Sequence, residues 1–277
     1  MMKYLLTLLV VFISFSVTSQ ELKIMSYNIK LDYPKEGKNS WMNRKPFMVN
    51  QIKFYEPTVL GVQEALPNQM KDLDSLLTDY SFVGVGRDDG KNKGEYSAIF
   101  YKKDELEVVQ SSTFWLSETP EKVSMGWDAV CNRMCTYALF QHTKTKQKFW
   151  VFNTHFDHVG KEARKNSAVL ILNKIKSANT ENYPVFLTGD FNMEPNHESI
   201  DHITQSLKDS KKIAALDFGP EGTFNGFHFD KPVTRRIDYI FVSKHVKVHK
   251  YAVLSDHWNM QYPSDHLPVL IETTLTN

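Results

Sequence analysis

Acids, carboxamides and histidines gather where apolar runs of this chain stop. Asn28 ends the first such run, and Glu64 follows Val59-Leu60-Gly61-Val62-Gln63. Asn153 and His155 close Trp150-Val151-Phe152, and Asp190 and Asn192 close Val185-Phe186-Leu187-Thr188-Gly189. Residues spaced by two share one face of an extended chain. Asp238 lies inside the apolar Ile237–Val242 run, and Asp265-His266 open the last run. Oxygen ligands with imidazole, and no thiolates at metal spacing, suit a hard cation such as Mg²⁺ or Mn²⁺. A carboxylate can accept a proton from water, and a histidine can carry positive charge toward a phosphate.

Each residue also has a structural reading. Glu64 can cap the helix after it, His155 can be a satisfied core histidine, and Asp190-Phe191-Asn192 can be an Asx-turn. Asp238 is costly in an apolar strand unless it is paired, and Arg235 or Arg236 are the local partners for a structural ion pair. The joint pattern outweighs these separate readings, because all the residues fall at the ends of extended segments.

The segments that position them are short and apolar. Strands are expected at 22–29, 58–63, 97–101, 136–141, 149–154, 185–188, 237–242 and 267–273, several without alternation, as in strands covered on both faces. Helical periodicity appears at 43–55, which must stop before Pro57, at 67–79 with Pro67 in the first turn, at 161–178, and at 197–208 after Asn196 as N-cap. The mixture implies an α/β fold with helices covering sheets. Antiparallel neighbours start and end on the same rim, so one crevice can collect every residue named above.

Tyr27-Asn28, Gln63-Glu64, Asn153-Thr154-His155, Gly189-Asp190-Phe191-Asn192, Arg236-Ile237-Asp238-Tyr239 and Ser264-Asp265-His266 together resemble the ordered motifs of the endonuclease/exonuclease/phosphatase superfamily. Gly94–Tyr101, Phe114–Pro120, Gly126-Trp127-Asp128 and Thr223–Phe227 further resemble a bacterial, often exported branch near its deadenylase-like members. The resemblance runs in order through nearly the whole chain. It implies a four-layer α/β sandwich, two mixed β-sheets face to face and flanked by helices. It also implies site roles. Glu64, Asn28 and Asp265 are expected to hold the metal directly or through water. Asp190 is expected as base, Asn192 as hydrogen-bond donor, His266 oriented by Asp238 as phosphate contact, and His155 as leaving-group assistant. Arg133 and Asn153 are expected to bind substrate.

The 33 basic and 32 acidic residues nearly cancel, which excludes a strongly basic nucleic-acid coat. Lys3, the apolar run from Leu5 to Val17, and Thr18-Ser19-Gln20 read as a signal peptide over residues 1–19, cut near Ser19–Gln20. Residues 20–277 then form one domain, exported to the periplasm or outside the cell and without stable membrane insertion. Cys131 and Cys135 are expected to be unbridged, because residues four apart in a strand lie about 13 Å apart.

The expected activity is metal-dependent phosphoesterase action by a monomer on a phosphate ester, with a nuclease acting on nucleic acid or nucleotide as the first reading. Trp115, Trp127, Phe227 and Trp258 are candidates to stack on a base or sugar. The alternatives are a phosphatase or phospholipase C-like enzyme on a sugar phosphate, inositol phosphate or lipid headgroup, or a catalytically silent binding protein. Thr154–His158 has some likeness to a dinuclear zinc hydrolase run but lacks a second histidine at the required spacing.

Overall fold

Alternate residues of the central strands pack between two sheets, and the residues between them pack outward against helices. The computed structural model describes residues 21–276, so the expected leader lies outside the described residues. The first sheet holds β1 (Glu21–Asn28), β2 (Val59–Gln63), β3 (Tyr80–Val83), β4 (Ile99–Lys102), β10 (Leu216–Phe218), β12 (Val246–Val253) and β13 (Val269–Leu275), in the order β10-β12-β13-β1-β2-β4-β3. The second holds β5 (Leu106–Trp115), β6 (Met134–His142), β7 (Lys148–His155), β8 (Val185–Asp190), β9 (Lys208–Asp209) and β11 (Asp238–Val242), in the order β5-β6-β7-β8-β11-β9. Both are mixed: β1 runs parallel to β2 and β7 parallel to β8, while β13, β6 and β11 join them antiparallel.

Leu22, Ile24, Val59 and Ile99 of the first sheet meet Phe140, Val151, Phe186 and Ile240 of the second in a buried layer. On the outer face of the first sheet, Met25, Tyr27 and Leu60 pack with Met48 and Ile52 of α1 (Trp41–Tyr55) and Leu73 of α2 (Pro67–Leu76). On the outer face of the second, Phe152 and Leu187 pack with Ile171 of α3 (Lys161–Ala178) and Ile200 of α4 (Glu198–Thr204). The expected four layers are therefore present. Among the described residues no helix is long and apolar enough to cross a membrane.

Several boundaries differ from expectation. α4 is shorter than 197–208, and its N-cap is His197, whose Nδ1 accepts the Ser199 N–H, rather than Asn196. The last strand begins at Val269, so Asp265-His266 lie before it, with His266 bridged to Phe224. The short β3, β9 and β10 and the longer β5 and β12 lie outside the expected segments. The pairings of β5 and β12 each carry a register shift, between Val108 and Gln110 and between Val248 and Lys250, and a bulge breaks the period-two pattern that would betray a strand. Both cysteines are free, Cys135 in β6 and Cys131 in the bend before it.

Candidate active site

Strand register brings the chemistry to one rim. Asn28 stands opposite Gln63, His155 opposite Asp190, and Asp190 opposite Asp238. Glu64 follows β2 in a left-handed conformation (φ 62), as does Asn192 after β8 (φ 52). Non-glycine residues rarely hold this conformation outside constrained sites. Asn28 ties the two sheets together, its Nδ2 donating to Glu64 Oε1 at 3.0 Å and to Asp190 Oδ2 at 2.9 Å. Glu64 Oε2 accepts the Leu31 N–H, so Glu64 faces the crevice and is not a helix cap. Gln69 serves the start of α2 instead, its side chain accepting the Leu66 N–H.

Asp190 Oδ1 accepts the Asn192 N–H, so the Asx-turn is real. Its other oxygen faces His155 Nε2 at 3.5 Å and His266 Nε2 at 3.8 Å. Asp238 Oδ2 accepts from Thr223 Oγ1 at 2.6 Å and from His266 Nδ1 at 2.8 Å. Arg236 pairs with Asp209 and Arg235 with Glu194, which removes the structural ion pair for Asp238. Burial, with Asp238 alongside, pushes Asp190 up to about 7 against the pull of His266. Burial alone would lower the His266 pKa; Asp238 and Asp190 overcome it and raise it to about 10. The ring is therefore cationic, with Nε2 facing Asp190. Burial, then Arg133 and Arg87, hold His155 well below its ordinary value. Asn192 Nδ2 donates to its Nε2 at 3.1 Å, which puts the proton of the neutral ring on Nδ1, an atom without a hydrogen-bond partner.

Ligand atoms of Glu64, His155 and Asp190 lie within 4.8 Å of one another, as do those of Asp190, Asp238 and His266. Asp265 lines the same crevice, 3.4 Å from Lys30 Nζ. Burial disfavours charge on Glu64, but Lys30, His266 and hydrogen bonds from Asn28 and Leu31 hold its carboxyl below the usual range. Such an oxygen-rich cluster, with one imidazole, fits a divalent cation.

Asn28 turns its amide nitrogen to the carboxylates while its Oδ1 accepts the Lys30 N–H, so it orients Glu64 and Asp190. One expected role changes. Asn153 is fully buried. Its Nδ2 donates to Val62 and Ala98 carbonyls, and its Oδ1 accepts from Gln63 and Thr188. It joins the sheets and does not line the crevice, so it is not a substrate contact.

The crevice is a cavity of about 410 Å³. Arg87, Glu95 and Arg133 also line it, with Glu95 Oε2 4.0 Å from His155 Nδ1. Arg133 Nε lies 3.4 Å from Asp157 and its Nη2 donates to His158 Nδ1 at 3.0 Å. Asp157 spends its other oxygen on the Val159 and Gly160 amides, so the Thr154–His158 run builds a turn rather than a zinc site. Three of the aromatic candidates are engaged elsewhere: Trp115 donates to the Arg87 carbonyl, Phe227 lies over Arg44, and Trp258 stacks on Phe47; the fourth, Trp127, is not on the lining. Phe224 is the one aromatic ring on the lining among the described residues, edge-on to His266 and covered by Arg235.

Sequence reasoning missed Thr223, Lys30, Glu95, Arg87 and Arg44. Thr223 and Glu95 lay inside segments noted only for family likeness. Arg44 gave no local signal; in α1 its guanidinium is fully buried and donates to the carbonyls of Ile29, Lys30, Asn39 and Pro263. It thereby joins the loop after Asn28 to the segment before Asp265.

Fold and site together define a phosphoric ester hydrolase with an acid-histidine centre at the rim of a two-sheet sandwich. Residues 25–266 match the Endonuclease/Exonuclease/phosphatase family, and the chain belongs to it. A solved mannosyl-6-phosphatase from Bacteroides thetaiotaomicron is 39% identical, covering 92% of this chain and 100% of that one, with TM-score 0.90. A second solved family protein from that organism is 38% identical over 94% of this chain and 99% of its own, also with TM-score 0.90. Human Nocturnin is 23% identical over 94% of this chain and 66% of its own length.

Proposed function

We propose that this chain is an exported, Mg²⁺- or Mn²⁺-dependent phosphatase that releases inorganic phosphate from a sugar phosphate. One observation carries the choice of substrate: the cavity is small, lined by charged and polar groups, and lacks an open aromatic face among the described residues. A nucleobase is ordinarily held by stacking on such a face, whereas sugar hydroxyls need donors and acceptors. Similarity over the full length of the mannosyl-6-phosphatase supports the same reading. On these two supports the sugar phosphate is our first reading, ahead of the nuclease substrate that the sequence put first.

Asp190 orients the attacking water and takes its proton as the new P–O bond forms. The His266 Nε2–H donates to the phosphate oxygens as charge builds, and the Asn192 amide, which without substrate donates to His155 Nε2 and the Phe156 carbonyl, turns to join it. Asp238 and Thr223 hold the His266 ring in place. Glu64, with Asp265 and Asp190 beside it, would hold the cation, which polarises the phosphate when bound. The ester P–O bond then breaks and the sugar oxygen leaves as the alcohol by taking up one proton, with the proton on His155 Nδ1 as its source and the proton that Asp190 took from the water restoring the balance.

The test is phosphate release from mannose 6-phosphate, inositol monophosphate, sphingomyelin and a short oligonucleotide, with Mg²⁺ or Mn²⁺ and with chelator. Chelator-sensitive release from the sugar phosphate is expected. Activity restricted to the oligonucleotide would return the nuclease reading. Export rests on residues 3–19 and is tested by the N-terminus of the mature protein.

A further inference from the structure

A second groove lies on the outer face of the first sheet, between α1 and the edge strand β10. Its volume is about 600 Å³, and it shares no lining residue with the catalytic crevice. Strand register lays out its floor. Leu216 stands opposite Lys250, Lys250 opposite Glu272, and Glu272 opposite Lys23. The next row places Phe218 opposite Ala252 and Ala252 opposite Leu270. Residues two apart in a strand share a face, so a polar row and an apolar row lie side by side. Phe47 and Tyr55 line the groove from α1, and Asp256 lines it from the segment after β12.

The polar groups of the groove hold one another in place. Lys250 pairs with Glu272. The Tyr55 hydroxyl and Gln51 Nε2 both donate to Asp256 Oδ2, at 3.1 and 3.0 Å. Lys23 Nζ donates to the Tyr55 carbonyl at 3.4 Å. Two cations, Lys23 and Lys250, face two anions, Asp256 and Glu272, so the charge of these four cancels. The apolar side is not explained by folding. Phe218 is 79% exposed and Leu216 61% exposed. Yet their strand is held by its pairing with β12 and by Gly219 (φ +107), where a Cβ would fall 2.1 Å from the Val253 carbonyl oxygen. A large ring kept in water on a fixed backbone adds little to stability, and contiguous exposed apolar groups mark contact sites.

We infer that this groove binds neutral sugar residues, so that the substrate is a phosphorylated oligosaccharide held at two places. The inference deepens the sugar-phosphate reading and rests on it for the role of the groove. A sugar ring offers an apolar C–H face to an aromatic ring, and around its edge hydroxyls that both donate and accept. Phe218 supplies the ring face. The Lys250–Glu272 and Tyr55–Asp256 pairs supply donors and acceptors beside it. Balanced charge argues against other occupants. A phosphate-rich polymer finds no surplus of cations here, and a purely apolar segment would take the charged pairs out of water. Lys23 in the floor is five residues from Asn28 along β1, about 17 Å, a span that a few sugar units cover.

The experiment compares wild type, Phe218→Ala and Phe218→Trp, each verified as folded by thermal melting. Calorimetric titration follows binding of neutral mannotetraose. Phosphate release is measured, with Mg²⁺ present, from mannose 6-phosphate and from mannotetraose carrying one 6-phosphate. Wild type is expected to bind the neutral tetrasaccharide saturably. Phe218→Ala should weaken that binding about tenfold, as the loss of one buried ring face implies. It should raise KM for the phosphorylated tetrasaccharide by a similar factor, with kcat and the release from mannose 6-phosphate unchanged. Phe218→Trp should keep the wild-type values. Wild type that binds no tetrasaccharide, or binding that Phe218→Ala leaves unchanged, overturns the sugar groove; release from mannose 6-phosphate in the same protein would leave the phosphatase reading intact. A wild-type dimer that Phe218→Ala converts to monomer, with no sugar bound, would also overturn the groove and assign the face to a second copy. Binding lost in Phe218→Ala, with no phosphate released from either ester by wild type, would keep the groove as a sugar site and overturn the phosphatase reading.

Discussion

Asp190 and Asp238 stand directly opposite on antiparallel strands, an arrangement that repels unless a cation compensates it. His266 supplies that cation, bound to Asp238 and facing Asp190. His266→Ala should lower kcat by about two orders of magnitude or more with the fold intact, as expected for loss of a charged donor at the phosphate. Asp238→Asn should lose much of the same effect, and the double variant should be little worse than His266→Ala, because the residues act as one unit. Additive losses in that cycle would show two independent roles. Asp157 makes a different prediction. Burial alone would raise its pKa, but hydrogen bonds from Gly160 and Val159, with Arg133, outweigh burial and lower it. A depressed folded-state pKa stabilises the protein above the unfolded value of about 3.9, and that contribution disappears as pH falls through the folded value. Asp157→Asn should therefore destabilise by about 1–3 kcal/mol at pH 7. The difference from wild type should shrink in urea titrations taken toward pH 3. A difference independent of pH would mean that the charge on Asp157 contributes nothing.

At the scale of elements, the two sheets are fastened by a buried polar knot. Asn153 on β7 reaches the Val62 and Ala98 carbonyls and Gln63 of the first sheet, and Thr188 beside it. Gly61 leaves the space it needs, since a Cβ there would fall 2.5 Å from Asn153 Oδ1. Asn153→Ala leaves several buried groups unpaired and should cost about 2–4 kcal/mol. At this chain length that is roughly 4–16 °C in Tm. The KM of the remaining folded enzyme should be nearly unchanged; a large KM rise with normal melting would restore the substrate-contact role. The error over Asn153 is instructive. Asn28, Glu64, His155, Asp190, Asp238 and His266 were legible because each interrupts or ends an apolar run, a local signal. Asn153 gave the same signal, but its role depends on which strand of the other sheet faces it, and stacking of sheets is not written in local spacing. The same limit hid Arg44, whose carbonyl partners Ile29, Lys30 and Asn39 lie just before it but whose fourth, Pro263, is 219 residues away. The seven-stranded and six-stranded division also exceeded the sequence reading, because bulges masked β5 and β12 and because β3, β9 and β10, of 4, 2 and 3 residues, are too short to show a period.

For the whole molecule, the sandwich brings a rim of each sheet together, so a cation at the site links the sheets. Binding to the folded state alone raises apparent stability by mass action. Mg²⁺ or Mn²⁺ at millimolar concentration should raise Tm by a few degrees in wild type and by little in Glu64→Gln. An equal shift in both would place the ion elsewhere. Mass spectrometry of protein from the exporting host should find an N-terminus near Gln20; an intact Met1 on a cytoplasmic protein would reject the leader. The central claim is that Asp190 and its neighbours release phosphate from a sugar phosphate. The most direct test is the rate of inorganic phosphate release from mannose 6-phosphate by wild type and Asp190→Asn, beside a short oligonucleotide under the same Mg²⁺ conditions. Saturable release by wild type, a loss of at least about two orders of magnitude in Asp190→Asn, and an intact oligonucleotide are predicted. An oligonucleotide cut while the sugar phosphate is untouched, or an Asp190→Asn protein with near-normal release, would contradict the account.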